Sequence, residues 1–221
     1  MFSHSFFLRD DYVFFNKVFC ESLPFRQIKL LFLSDICFVM IVAQQKKKEN
    51  TAEYLLYMWQ VEDLIRACGF DMQQIDANVI SRFAVDDDVR RQIYEWYDNL
   101  RLMMLNEHLE KTGHLQINKN VLNELEEWHL SFLQSDWEYQ AKYQRALPVI
   151  AEFRTKNAAD GAQDSDMELC FNLLYMTMLM RMQQKPLSAS TEEAIKTVSD
   201  MLRTLLLKIK RKEEESMEKT E

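Results

Sequence analysis

The feature that most constrains this chain is its shortage of glycine and proline, since only three of each occur in 221 residues. Tight β-turns and the loops that bring a backbone close to a phosphate group both depend on glycine. Three glycines cannot supply the turns of a sandwich or barrel, and the sequence holds neither a dinucleotide-binding nor a P-loop glycine motif. Because 48% of the residues are hydrophobic, the chain can still bury a sizeable core. The sequence therefore predicts a helical protein.

Apolar residues recur every three or four positions along most of the chain beyond about residue 50, which is the spacing of one helix face. Asn50 stands before the first of these periodic segments and is a residue type that caps helices. The segments are separated by short polar or glycine-containing stretches. We predict an all-α protein that folds as a single helical bundle of six or seven helices.

Several residues mark the expected helix boundaries. Gly69 and Gly113 are expected to end helices, because glycine readily takes the left-handed conformation that closes a helix. Ser135 and Ser190 are expected to cap the helices that follow them. Pro148 lies inside an apolar stripe, and we expect it to kink or divide that helix because it removes one backbone hydrogen bond.

Residues 1–39 differ in composition from the rest of the chain, since they hold nine of the fourteen phenylalanines and no glycine. Three interpretations are open: a non-native extension upstream of a start at Met40, a signal or anchor segment, and an N-terminal element docked on the domain. The change in composition favours the first. We therefore predict a non-native or poorly ordered segment at 1–39, an all-helical domain at 40–210 and a charged tail at 211–221.

The chain is acidic, with 35 Asp and Glu residues against 27 Lys and Arg, so its net charge is −8. Nucleic-acid binding is not expected, because it normally requires a basic surplus. The densest basic cluster before the tail is Lys46, Lys47 and Lys48, a candidate interaction site for phosphate or another anionic surface. No segment predicts a membrane span. Four cysteines without a C-x-x-C pair are typical of a reducing compartment, which predicts a cytoplasmic protein.

Glu126 and His129 form a Glu-x-x-His pair, which places a carboxylate and an imidazole on one helix face. Helical-bundle carboxylate enzymes use two such pairs, with further glutamates, to hold two metal ions. Because this chain has only one pair, a solvated or locally hydrogen-bonded arrangement is favoured over a metal site. We keep Glu126 and His129 as candidate metal ligands and predict no cofactor.

The last predicted helix carries a heptad seam, in which apolar residues alternate at spacings of three and four: Ile195, Val198, Leu202, Leu205 and Ile209. Such a seam packs against another helix, either within the chain or on a protein partner. We take these five residues as a candidate interaction surface for a partner or for a homodimer.

Three stretches resemble a family of uncharacterised bacterial proteins classed as a domain of unknown function. They are MIVAQQKKKENTAEYLLYMWQVEDLIRA at residues 40–67, QRALPVI at residues 144–150 and CFNLLY at residues 170–175. The likeness extends over about residues 40–210. It implies a single all-helical domain in a soluble bacterial protein of unassigned role, and it brings no known activity or catalytic residue.

No catalytic motif is assembled in the sequence, so a non-catalytic protein-interaction or scaffold module is the favoured function. Two alternatives stay open. The first is a metal-dependent enzyme of the helical-bundle carboxylate type that uses Glu126 and His129. The second is a nucleic-acid-associated factor that uses Lys46–Lys48.

Overall fold

A computed structural model describes residues 51–157 and 164–218. These residues form seven α-helices, one short 3-10 helix and no strand, which confirms the predicted all-α class. The helices are α1 (Thr51–Ala67), α2 (Met72–Asn78), α3 (Asp87–Asn106), α4 (Gln116–Ser135), α5 (Trp137–Asn157), α6 (Asp166–Met182) and α7 (Ala189–Glu218), with the 3-10 helix at Ile80–Arg82. The predicted cap at Asn50, the segment at 1–39 and the cluster Lys46–Lys48 lie outside the described residues.

The backbone contacts divide the chain into two units, and the division falls within α4, between Asn120 and Val121. We describe the N-terminal unit over residues 51–120 and the C-terminal unit over residues 121–157 and 164–218. The single-bundle organisation therefore stays a prediction.

The N-terminal unit is built around α1, which packs against α3, while α2 and the 3-10 helix also pack against α3. α2 and α3 each begin at a polar cap: the Asp71 carboxylate accepts a hydrogen bond from the Gln73 amide, and Asp86 does the same for the Val89 amide. Asp87 and Asp88 follow in the first turn of α3, where carboxylates favour the positive end of the helix dipole. The core consists of large side chains without exposed surface, among them Leu55, Trp59, Ile65, Ile80 and Met104.

In the C-terminal unit, α7 packs along α5 and also contacts α6, and α5 contacts α6. The side chain of Ser165 caps α6 by accepting from the Glu168 amide. The buried residues of α6 lie on several sides of the helix, as expected for a helix among others. They are Met167, Leu169, Cys170, Phe171, Tyr175, Thr177 and Leu179.

Three described helices are followed by left-handed residues, of which one is glycine: Gly69 and Phe70 after α1, His108 after α3 and Gln184 after α6. Gly69 ends α1 as predicted, with a φ of 63°. The prediction that Gly113 ends α3 is wrong, because α3 ends at Asn106 and His108 takes the left-handed conformation with a φ of 56°. The Leu109 amide then donates to the Met104 carbonyl, which satisfies one of the free carbonyls at the helix end.

The predicted caps of α5 and α7 are displaced by one and two residues. Asp136, rather than Ser135, accepts the hydrogen bond from the Tyr139 amide, because the Ser135 hydroxyl bonds back to the Ser131 carbonyl. Ser188, rather than Ser190, accepts from the Thr191 amide. α5 continues through Pro148 as one helix, so the residue does not divide it.

Among the described residues, no helix combines the length and the apolarity that a membrane crossing requires.

Candidate functional site

A fully buried carboxylate stands at the centre of the N-terminal unit. Glu62, on α1, has no exposed surface. One of its oxygens lies 2.6 Å from His114 Nδ1, while the other accepts from the Leu115 amide at 3.0 Å and from Asn118 Nδ2 at 2.7 Å. Burying a carboxylate is costly unless several donors surround it. Here three donors do so, and they tie α1 to the start of α4.

Aromatic rings complete this arrangement, which we call the Glu62 cluster (Tyr54, Trp59, Glu62, His114 and Asn118). The Trp59 ring stacks on the His114 imidazole with 4.1 Å between ring centroids. The Tyr54 hydroxyl donates to Asn118 Oδ1 at 3.3 Å. Burial, and secondly the charge of Glu62, raise the pKa of Tyr54, so its hydroxyl keeps its proton as a donor.

The loop that carries His114 is held by an arginine of α1. Arg66 Nε donates to the Leu109 carbonyl at 3.0 Å, and the guanidinium also bonds the Gly113 carbonyl. A third contact joins Arg66 to Asp63 one turn earlier at 2.7 Å. These bonds fix both ends of the loop that places His114 against Glu62. We therefore interpret the Glu62 cluster as a structural anchor.

The sequence reasoning missed the role of Glu62, although one local signal could have found it. Glu62 lies three residues after Trp59 and three before Ile65, so it falls on the apolar face of α1. A carboxylate in that position must find buried donors. Those donors lie 52 to 56 residues further along the chain, and no local pattern identifies them.

The predicted pair Glu126 and His129 belongs to a second polar cluster, in the C-terminal unit. His129 is buried, and its Nδ1 lies 2.6 Å from the Tyr139 hydroxyl while its Nε2 lies 3.9 Å from Asp166. Tyr143 donates to the same Asp166 carboxylate at 2.6 Å. We call these five residues (Glu126, His129, Tyr139, Tyr143 and Asp166) the His129 cluster.

The environment of His129 favours a neutral imidazole. Burial lowers its pKa, and the nearby carboxylates of Glu126 and Asp166 oppose that shift without cancelling it. Burial also raises the pKa of the Tyr139 phenol well above its ordinary value, so both partners of this hydrogen bond are uncharged at neutral pH.

The surroundings of Glu126 and His129 show how their polar atoms are used. Glu126 accepts from the Met167 amide at 3.2 Å, so its carboxylate meets the first turn of α6, and Asp166 forms an ion pair with Arg154. Over residues 51–157 and 164–218, no group of three or more His, Cys, Asp or Glu side chains is placed to hold a metal ion. The pair therefore lacks, in this part of the chain, the further ligands of a carboxylate metal site.

The predicted heptad seam lies inside the C-terminal unit. Its five residues, Ile195, Val198, Leu202, Leu205 and Ile209, are all buried on the side of α7 that packs on α5 and α6. The spacing that predicted a packing face is therefore used by the chain's own helices. Lys46, Lys47 and Lys48, the other candidate interaction residues, are not among the described residues.

The exposed surface of the C-terminal unit holds a feature that the sequence analysis did not single out. Trp137, the first residue of α5, is 80% exposed, more than any other large hydrophobic residue among those described. Its neighbours Asp136 and Glu138 both accept from Lys208 of α7, at 2.7 and 2.8 Å. We call this group (Asp136, Trp137, Glu138 and Lys208) the Trp137 surface.

The backbone beneath Trp137 is fixed by charged contacts. Asp136 caps α5 and also binds Lys208, whose hydrogen bond lowers the pKa of the Asp136 carboxyl. Burial alone would lower the pKa of Lys208, but its bonds to the two carboxylates raise it overall. The Asp136 carboxylate and the Lys208 ammonium group therefore stay charged near neutral pH. The Trp137 indole projects into water from a helix start that these charges hold in place.

Over residues 51–157 and 164–218, these features define an all-helical protein in which two buried histidines make internal contacts and the most exposed large hydrophobic side chain is an anchored tryptophan. Comparison with known families identifies it further. Residues 40–216 match the family described as Domain of unknown function (DUF4924), so the chain belongs to that family. The match confirms the expected resemblance to an uncharacterised family. No curated protein and no solved structure matches the chain significantly.

Proposed function

We propose that the protein is a non-catalytic protein-interaction module of the bacterial cytoplasm, and that a partner protein binds the Trp137 surface. The single observation that carries this proposal is the 80% exposure of Trp137 on an anchored helix start. Tryptophan is enriched among the few residues that dominate binding energy at protein interfaces, because its ring buries a large apolar area with few rotatable bonds.

The charges beside the ring support the same role. Lys208 links Asp136 and Glu138, so the polar groups around Trp137 are already ordered before a partner arrives. Ordering side chains is part of the cost of association, and a surface that is fixed in advance avoids some of that cost. An apolar centre with a polar surround is also the usual layout of an interface.

The buried histidines favour binding over catalysis. His114 and His129 are both buried, and each has a ring nitrogen 2.6 Å from a partner inside the chain. A general base must reach the proton of a substrate, and these two imidazoles are enclosed instead. The two cysteines among the described residues, Cys68 and Cys170, are buried, and a sequence without a C-x-x-C pair is typical of a reducing compartment.

The test is a quantitative capture of partners in the native host. Full-length protein tagged at its C-terminus is recovered as wild type, as Trp137→Ala and as Leu102→Ala, and the bound proteins are quantified by mass spectrometry. Leu102 is the matched control, because it is an exposed apolar residue of α3 in the other unit.

We expect at least one protein to be recovered in stoichiometric amount with the wild type and with Leu102→Ala. Loss of a central anchor should reduce its recovery with Trp137→Ala at least about tenfold, since such residues are worth roughly 2 kcal/mol or more. Equal recovery with Trp137→Ala, or a wild-type protein recovered alone, would contradict the proposal.

A further inference from the structure

The C-terminal end of α7 differs from the rest of the helix. As far as Ile209, α7 presents its buried seam to α5 and α6, whereas every residue from Lys210 to Glu218 is exposed. Most helical stability in proteins comes from packing an apolar face. Within the described residues, the last nine positions of α7 have no such packing, although they remain helical.

The order of charges along this exposed end opposes the helix dipole. Lys210, Arg211 and Lys212 come first, and Glu213, Glu214 and Glu215 follow them towards the C-terminal end. The last turn of α7 carries no basic residue. Acidic groups at the C-terminal end of a helix are unfavourable, and a lysine before a glutamate is the weaker order of an intrahelical pair.

Few of these charges are paired within the part of the chain that the structure describes. In this end of α7, the described residues form one ion pair, between Lys212 and Glu215 at 3.3 Å. The side chains of Lys210 and Glu214 form no ion pair within the described part of the chain. A neighbour that offers acidic groups to the first block and basic groups to the second would pair these charges.

A second heptad stripe runs along this exposed end. Leu207, Lys210, Glu214 and Met217 follow one another at spacings of three, four and three. Because each residue turns the helix by about 100°, Leu207 lies roughly 200° from Leu205 and Ile209 and so faces away from the buried seam. Leu207 is 52% and Met217 is 65% exposed. We call these four residues the outer stripe.

From this pattern we infer that the outer stripe binds the outer stripe of a second copy of the chain, with the two helices antiparallel. A twofold axis at position 212 places Leu207 opposite Met217 of the second copy, and Lys210 opposite Glu214 of the second copy. Each pair occurs twice by symmetry. The basic block of each copy then meets the acidic block of the other and offsets its unfavourable placement on the helix dipole.

A parallel arrangement of the two helices is unfavourable, because it would place Lys210 opposite Lys210 and Glu214 opposite Glu214, where like charges repel. The outer stripe spans only about 15 Å of helix, so the interface is small and weak by the standards of stable dimers. Its attraction is mainly between exposed charges and is therefore sensitive to salt. This inference concerns self-association and does not depend on a different protein binding the Trp137 surface.

The test is sedimentation equilibrium of the purified full chain over a range of concentrations, at about 50 mM and about 500 mM salt. Four samples are compared: wild type, Lys210→Glu, Glu214→Lys, and an equimolar mixture of these two variants. Both positions are exposed, so the charge changes should alter the helicity of the chain only slightly, and circular dichroism of every sample checks this.

The wild type should dimerise at low salt and weaken at high salt. Each single variant places like charges opposite each other twice, so its self-association should be at least about tenfold weaker. In the mixture, the all-acidic stripe of one variant faces the all-basic stripe of the other, and dimers should return. A wild type that stays monomeric at every concentration would overturn the inference and leave the stripe to another protein or to solvent. A dimer unaffected by Lys210→Glu would overturn it as well.

Discussion

The Glu62 cluster and the Trp137 surface handle unfavourable groups in opposite ways. Glu62 is a buried charge, and the chain surrounds it with three donors from one segment. Trp137 is an exposed apolar ring, and the described residues of the chain leave 80% of it in water. The Glu62 carboxylate finds all of these donors within its own unit. The Trp137 ring stands on an ordered helix start, but no described residue covers it. This difference is why we treat the first region as structural and propose the second as a binding surface.

The largest effect should come from opening the Glu62 cluster. Glu62→Ala leaves His114, the Leu115 amide and Asn118 without their acceptor, so the free energy of unfolding should fall by about 3–5 kcal/mol. Chemical denaturation of the full chain measures this change. The control Glu95→Ala removes an exposed carboxylate of α3 and should stay within about 0.5 kcal/mol of the wild type. A loss as small as that of the control would show that the cluster is not an anchor.

A smaller loss of stability should follow from a substitution in the loop that carries His114. Gly113 has a φ of 97°, and an added Cβ would lie 3.0 Å from the Leu109 side chain. Gly113→Ala should therefore lower the free energy of unfolding by about 1–3 kcal/mol. Gly69→Ala is the matched control, since Gly69 has a φ of 63° and open space around it. It should cost less, about 1 kcal/mol, and the reverse order of the two variants would contradict this account of the loop.

The His129 cluster should make stability depend on pH in a stated direction. Because burial lowers the pKa of His129, the unfolded chain takes up a proton at this residue before the folded chain does. Stability is therefore fully present above the unfolded pKa of about 6.5 and is lost as pH falls below it, by at most about 1.4 kcal/mol per pH unit.

His129→Gln should flatten the dependence of the free energy of unfolding on pH between about pH 6.5 and about pH 5. His108→Asn is the control, because His108 is exposed and asparagine tolerates its left-handed conformation. It should keep the slope of the wild type. An unchanged slope in His129→Gln would show that His129 does not carry the effect.

The smallest effect on stability should come from the Trp137 surface. Trp137→Ala removes a ring that is mostly in water, so the free energy of unfolding should change by no more than about 0.5 kcal/mol. Chemical denaturation beside the Leu102→Ala control measures this. A loss above about 2 kcal/mol would indicate that the ring is buried by the chain itself, and the contrast with Glu62 would then fail.

Features that depend on neighbouring residues could be predicted from the sequence, whereas features that depend on distant parts of the chain could not. The helices follow from local periodicity, and the stop at Gly69 follows from the backbone freedom of glycine. The stop at His108 could not be predicted, because a histidine takes a left-handed conformation only where hydrogen bonds at the helix end favour it. The caps at Asp136 and Ser188 were missed in favour of neighbouring serines, since several residues of capping type stand side by side.

The candidate site was harder to predict for the same reason. The seam from Ile195 to Ile209 predicts a packing face, but its spacing does not indicate which surface packs against it. Whether a tryptophan in a helix is buried or exposed depends on which elements pack beside it. The exposure of Trp137 therefore required the arrangement of α5 and α7.

The central claim is that Trp137 contacts a partner protein, and crosslinking beside that residue tests it most directly. Ala141 is exposed one turn after Trp137 on the same face of α5, so a crosslinker there leaves the indole in place. Ala141 is replaced in the native host by a photo-crosslinking phenylalanine analogue, and the same replacement at Leu102 serves as the control. Our account predicts a discrete crosslinked product with another protein after illumination for position 141 and none for position 102. The absence of a product at position 141, or the same products at both positions, would contradict it.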